Sequence, residues 1–165
     1  MSRFFFVAVA LTVGSLFAVS MIEESGVMTA SKAPARPVAR KPVDPGTVTI
    51  AARNGHYTTD ALVDGREIAF MVDTGATLVA LRESDAADLG YRPREQDYNV
   101  RISTANGEGR GALVELGMVE IGDITVRNVR ALVLRDDALG VNLLGMSFLS
   151  RVRWTQERGE LVLEQ

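Results

Sequence analysis

The stretch Phe70-Met71-Val72-Asp73-Thr74-Gly75-Ala76-Thr77 constrains this chain more than any other. Three apolar residues read as the end of a buried strand, and an acid, a small hydroxyl residue and a glycine follow without a spacer. Strands rarely deliver a carboxylate into an interior, because an unpaired buried charge costs several kcal/mol or shifts its pKa. Such an acid has a chemical role, or it caps an ordinary turn, as Asp-Thr-Gly can. The apolar pattern resumes at once with Val79 and Leu81.

The segments on either side are short strands and tight turns, which predicts an all-β domain. Thr47 to Arg53 alternates in the strand manner, and Asn54-Gly55 is a strong hairpin signal. His56 to Val63 is a second strand, Asp64-Gly65 a second turn, and Arg66 to Val72 a third strand that feeds Asp73. Beyond the acid, Leu78 to Leu81 reads as a strand, and Glu83 to Leu89 as a helical turn closed by Gly90. Tyr98 to Thr104 and Gly111 to Leu116 flank a glycine-rich hairpin tip with Asn106-Gly107 in it. Met118 to Ile121, Ile124 to Val129 and Ala131 to Leu134 are further strands. A strand through Asn142-Leu143-Leu144 ends at Gly145, where a short helix begins; Arg151 to Thr155 and Glu160 to Glu164 complete the set.

Residues 1–24 and 25–46 differ in kind from residues 47–165. Phe4 to Ile22 holds no charge, and its length is close to what spans a bilayer. Arg3 before it and Glu23-Glu24 after it orient the N-terminus to the cytoplasm and the rest outward. A cleaved signal peptide competes, with Ala18-Val19-Ser20 as small residues at a cleavage position; span length favours the uncleaved anchor. Residues 25–46, with Pro34, Pro37 and Pro42 among basic residues, read as an extended linker.

Composition removes several function classes. There is no cysteine and only one histidine, so thiolate metal sites and multi-histidine zinc sites are excluded. That histidine, His56, sits beside a turn and reads as exposed. Asp136-Asp137 reads as a solvated loop pair. Residues 48–165 carry thirteen basic and eighteen acidic side chains, which argues against a nucleic-acid partner.

Three motifs in order resemble the retropepsin-like aspartic proteases, and in particular a bacterial group with an N-terminal membrane anchor and a periplasmic catalytic domain. They are Val72-Asp73-Thr74-Gly75-Ala76-Thr77, Thr104-Ala105-Asn106-Gly107, and Leu143-Leu144-Gly145-Met146-Ser147-Phe148-Leu149, within about residues 50–165. The resemblance implies a closed β-barrel with one short helix, preceded by a single transmembrane helix and the Pro-rich linker. It implies that Asp73 is the catalytic acid, with Thr74, Gly75 and Ala76 supporting its loop. Thr104, Ala105, Asn106, Gly107, Glu108 and Gly109 would form a flap over a bound peptide, and Leu143, Leu144 and Gly145 would pack behind the active-site loop. No metal or other cofactor is implied. The implied partners are a protein or peptide substrate, a second copy of the chain and the bacterial inner membrane. The chain has one Asp-Thr-Gly, so a site of two carboxylates needs a twofold mate. Many viral members carry acids soon after Asp-Thr-Gly-Ala and an arginine after the apolar-apolar-glycine; here Thr77, Leu78 and Met146 stand there. The linker leads straight into the first strand, so the terminal-strand dimer sheet of viral enzymes does not carry over directly. A peptide-binding module that does not cut, on the same barrel, is the alternative.

Overall fold

The computed structural model describes residues 45–104 and 107–165. The expected anchor lies outside the described residues, as does the expected linker apart from Pro45 and Gly46. Among the described residues, no helix is long and apolar enough to cross a membrane.

Strands β1 (Thr47–Arg53), β2 (His56–Val63) and β3 (Arg66–Val72) form as the alternation requires. Two-residue turns with positive φ at both positions join them: Asn54 (51°) with Gly55 (80°), and Asp64 (50°) with Gly65 (84°). This is the turn type whose twist matches a hairpin, and it favours the Asn-Gly and Asp-Gly pairs found there. After the Asp73 turn come β4 (Val79–Arg82) and α1 (Glu83–Asp88). A 3₁₀ turn (Glu95–Asp97) precedes β5 (Val100–Thr104), β6 (Gly107–Ile121) and β7 (Ile124–Leu134). Last are β8 (Asn142–Leu144), α2 (Met146–Leu149), β9 (Arg153–Glu157) and β10 (Glu160–Glu164).

The strands close on themselves. Their order is β5-β6-β7-β4-β8-β3-β2-β1-β10-β9, and β2 also pairs with β6 through Leu62–Glu120 and Val63–Val119. The ring β2-β3-β8-β4-β7-β6 encloses Val63, Phe70, Leu81, Leu116, Ile121, Ile124, Val133 and Leu144, all almost without exposure. Each such side chain contributes about 1.5–3 kcal/mol by leaving water. Outside the ring, β1 peels away from β2: only Ala52 and Arg53 pair there, whereas Thr47 to Ala51 pair with β10. Thus β1 and β10 meet within one chain, and β9 is left as an outer edge.

Several boundaries differ from the sequence reading. Gly111–Leu116 and Met118–Ile121 are one fifteen-residue strand, β6. Gly117 does not break it; a Cβ there would stand 2.7 Å from Asp64 Oδ1, whose carboxylate accepts the Met118 N–H at 2.9 Å. Likewise β7 runs unbroken through Asn128, which takes φ 54° while its side-chain amide bonds Glu115. Among the described residues there are two short α-helices rather than one. Tyr98 lies outside β5, buried, with its hydroxyl on Glu83 at 2.9 Å.

Candidate active site

Asp73 stands one residue past β3, where its backbone N–H still donates to Leu144 O at 3.1 Å. The chain then reverses. Gly75 N–H donates to Asp73 Oδ1 at 2.8 Å, and Ala76 N–H to Asp73 O at 3.3 Å. This is the local geometry that the small residues after the acid allow, since a Cβ on Gly75 would come within 3.1 Å of the same carboxylate oxygen. Asp73 itself is half-buried, and Thr74 and Gly75 are exposed. The sequence suggested an acid driven into the interior; the strand instead delivers it to the surface of a single chain. Neither Asp73 Oδ2 nor the Thr74 hydroxyl has a hydrogen-bond partner among the described residues.

The loop is fixed from behind by the segment after β8. β3 and β8 pair in parallel, Phe70 with Asn142, Met71 with Leu143 and Val72 with Leu144. On its other side β8 meets β4 only at Ala80–Leu143. Gly145 then passes against the loop so closely that a Cβ would stand 2.2 Å from Leu78 O and 2.8 Å from Ala76 O. Met146 N–H donates to Ala76 O at 2.8 Å. Leu144 is fully buried and Leu143 half-buried. Leu143, Leu144 and Gly145 are therefore gathered with Asp73, Gly75 and Ala76 into one cluster.

Two polar residues complete that support, and sequence reasoning gave them no role. Because β4 has so little ladder with β8, its N–H groups at Val79 and Arg82 need other acceptors. Ser147 Oγ accepts from Val79 N–H at 2.9 Å and donates to Arg130 O at 2.7 Å. Asn142 Oδ1 accepts from Arg82 N–H at 2.8 Å, while its Nδ2 donates to Ala69 O at 3.1 Å and Asp85 Oδ2 at 2.9 Å. Asn142 is the one buried polar side chain of the described core. A lone amide before an apolar run was the available signal.

The expected flap is a hairpin of β5 and β6; β6 is separated from β3 by β7, β4 and β8 on one side of the ring and by β2 alone on the other. Thr104 pairs with Gly107, Ser103 with Glu108 and Ile102 with Gly109. Ala105 and Asn106, expected in the flap, lie outside the described residues. Gly107 is already in the strand with φ 115°. Glu108 is exposed, and Gly109 is half-buried beside Ile102. His56 is exposed, as expected.

The strongest electrostatics lie off the loop. Arg135 pairs with Glu83 at 2.6 Å and with Glu95, and its guanidinium stacks 4.2 Å from the Tyr98 ring centre. The Glu83 hydrogen bond holds the Arg135 guanidinium above its ordinary pKa. Burial, then the Glu83 hydrogen bond, pushes Tyr98 up to about 12; burial and Asp64 do the same for Tyr91. Asp136, expected to be merely solvated, accepts from Ser84 N–H at 3.1 Å and Oγ at 3.2 Å, and that backbone donor lowers its pKa.

No group of three or more His, Asp or Glu side chains suited to a metal occurs among the described residues. Among the described residues, the depressions of about 460, 510 and 390 Å³ do not have Asp73 in their lining. What one chain offers is a surface carboxylate, half satisfied by a backbone donor and rigidly backed.

Comparison with known proteins is consistent in kind. A family model described as "gag-polyprotein putative aspartyl protease" matches residues 59–151. An uncharacterised protein encoded in the cobV 5′ region of a Sinorhizobium species is 45% identical over 105 residues, 64% of this chain and 45% of that one. An uncharacterised protein of Rickettsia prowazekii (strain Madrid E) is 38% identical over 109 residues, 66% of this chain and 46% of the other. The chain thus spans about half the length of these curated relatives. The crystal structure of a retropepsin-like aspartic protease from Rickettsia conorii superposes with a TM-score of 0.63 at 39% identity, covering 72% of this chain and 89% of that one.

Proposed function

The chain belongs to the retropepsin-like aspartic protease family, and from that premise we propose that it is an aspartic endopeptidase whose site is completed by a second copy. One observation carries the reading. Asp73 is held at the end of β3 by Leu144 O and the Gly75 N–H, with its second carboxylate oxygen unpartnered among the described residues. A single chain contains one such group.

Peptide hydrolysis then follows from two Asp73 carboxylates sharing one proton. Two acids about 3 Å apart cannot both ionise, as the aspartic proteases themselves exemplify. The ionised one takes a proton from water, which attacks the scissile carbonyl, while the protonated one donates to the carbonyl oxygen; the resulting diol breaks its C–N bond as the first carboxyl passes its proton to the leaving amine and the second carboxylate takes one back from a diol hydroxyl. The pair titrates as a unit. The exposed Thr74 hydroxyl, without a partner among the described residues, would bond across the twofold axis. The flap hairpin closes over the substrate. No metal or organic group takes part in this scheme.

The reading extends to location. The uncharged run Phe4 to Ile22 between Arg3 and Glu23-Glu24 supports a single-pass anchor in a bacterial inner membrane. The catalytic domain then works in the periplasm on an extracytoplasmic protein, tethered by residues 25–46.

The test is digestion of a peptide library by the full-length protein in liposomes, with and without a transition-state inhibitor of aspartic proteases, with products read by mass spectrometry. Inhibitor-sensitive internal cleavage is the expected result. Peptide binding without cleavage would replace the enzyme with a binding module.

A further inference from the structure

An apolar row crosses the sheet on the side that leads to Asp73. Leu113 pairs with Leu132, Leu132 with Ala80, Ala80 with Leu143 and Leu143 with Met71, so these five side chains share one face. Met71 lies two residues before Asp73, and the β3–β8 ladder runs on to the Asp73 N–H, which keeps the alternation. Leu113 is 47% exposed, and Leu132, Leu143 and Met71 are half-buried, so the row is an open face and not core. Followed along β7, the same face passes from Leu132 to Arg130; along β4 it passes from Ala80 back to Leu78. There it reaches the depression of about 390 Å³ beside the active-site loop. Leu78 and Met146 form its apolar part, and Arg130 and Arg151 bring two cations to it. Thr77, also in the lining, directly follows Ala76, whose carbonyl accepts the Met146 N–H.

Both arginines are exposed, and neither guanidinium has a hydrogen-bond or ion-pair partner among the described residues. Glu115 stands opposite Arg130 across β6 and β7. Its carboxylate instead accepts from the Asn128 amide at 2.9 Å, and it makes no ion pair with Arg130. Two cations thus border an apolar hollow next to the loop that carries Asp73, and no anion among the described residues is committed to them.

We propose that this depression is a specificity subsite for an acidic side chain of the substrate, with Arg130 and Arg151 as the residues that select it. The proposal deepens the peptidase reading above and rests on it. Its occupant follows from charge and from continuity with the apolar row. A carboxylate pairs with the two cations in charge-assisted hydrogen bonds, while its methylene stem lies on Leu78 and Met146. β7 is three strand spacings from β3, about 14 Å. An extended chain covers that distance in about four residues. The acid therefore belongs about four residues from the scissile bond.

The test pairs binding with cleavage, both on the full-length protein in detergent micelles. For binding, Asp73→Asn protein is titrated with fluorescent peptides that have an apolar centre and a single Glu or Gln scanned through the flanking positions, read by anisotropy. At one position, about four residues from the centre, the Glu peptide should bind about three- to tenfold tighter than its Gln counterpart, as two exposed ion pairs allow. Arg130→Gln and Arg151→Gln should each shrink that ratio. Arg130→Glu/Arg151→Glu should turn the preference over to Lys at the same position. Arg158→Gln, which removes an exposed arginine at the β9–β10 turn, should leave the ratio as it is. A merely structural role would lower affinity for every peptide alike and would not move the ratio; unchanged thermal midpoints would verify the fold. A ratio near one at every position, a ratio that survives both substitutions, or an equal loss in Arg158→Gln would overturn the subsite. Cleavage of the same peptides by wild-type chains keeps the two readings apart. An arginine-dependent acid preference in binding without cleavage upholds the subsite and refutes the peptidase. Cleavage indifferent to the acid does the opposite.

Discussion

Among the glycines of the described residues, Gly145→Ala should cost the most. The new Cβ would stand 2.2 Å from Leu78 O, 2.6 Å from Leu78 C and 2.8 Å from Ala76 O. All three are backbone atoms of the loop that carries Asp73, so no flexible side chain can swing away. Overpacking of this kind costs about 1–3 kcal/mol, at its upper end when backbone must move. Displacing the loop also breaks the 2.8 Å bond from Met146 N–H to Ala76 O, worth about 1 kcal/mol net. A total near 3 kcal/mol lowers the midpoint of a small domain by roughly 10–20 °C. The loop shift also misplaces Asp73, and an error of about 1 Å in a reacting group costs on the order of a hundredfold in rate. The assay is thermal unfolding by circular dichroism beside turnover of a cleaved peptide. Gly140→Ala is the control, since a Cβ there meets nothing within 4 Å; its midpoint and rate should match the wild type. A Gly145→Ala protein that melts and cleaves like the Gly140→Ala control would refute the reasoning.

Asn142→Ala should destabilise by about 1–3 kcal/mol, because it strands the Arg82 N–H and the Ala69 carbonyl without their partner; denaturant unfolding measures it, and a loss below about 0.5 kcal/mol would contradict the assigned role. Gly107→Val should harm turnover more than stability: no atom lies within 4 Å of the added Cβ, yet φ 115° at the hairpin tip does not suit a β-branched residue. Equal, large losses in both would mark the hairpin as structural. Tyr91 and Tyr98 have folded pKa values raised to about 12, so their stabilising contribution is complete below the unfolded value of about 10 and is lost as pH rises from there toward 12. The stability gap between wild type and a Tyr91→Phe/Tyr98→Phe variant should therefore shrink over that window, and a gap independent of pH would contradict the raised pKa values that burial, then the carboxylate partners, produce.

What was legible in the chain was whatever depends on neighbours in sequence. The β1–β2 and β2–β3 hairpins appear where alternation and the Asn54-Gly55 and Asp64-Gly65 turns place them, because both signals are local. The Gly145 transition from strand to helix was legible for the same reason. Gly117 misled, since an isolated glycine reads as a strand break, and the Asp64 carboxylate that requires it lies fifty-three residues away. Asn142 was invisible as a support because its partners are fifty-seven to seventy-three residues distant. The burial of Asp73 could not be judged from the sequence: a strand entering a core and a strand ending near the surface share the same apolar approach. The Arg135–Glu83–Glu95 cluster was equally hidden, as three charges in separate segments look like solvated surface until the fold gathers them.

The most direct test of a homodimeric carboxylate site is a titration of wild-type chains with Asp73→Asn chains at constant total concentration. The substitution removes the charge and hardly alters shape, so mixed dimers should form as readily as either parent. Each mixed dimer holds one Asp73 and should not cut. Random pairing then leaves about a quarter of the activity at equal proportions, where independent sites would leave about half. Activity that falls as the square of the wild-type fraction would support a site shared between two chains. Activity that falls linearly, or cleavage by folded Asp73→Asn protein alone, would contradict it.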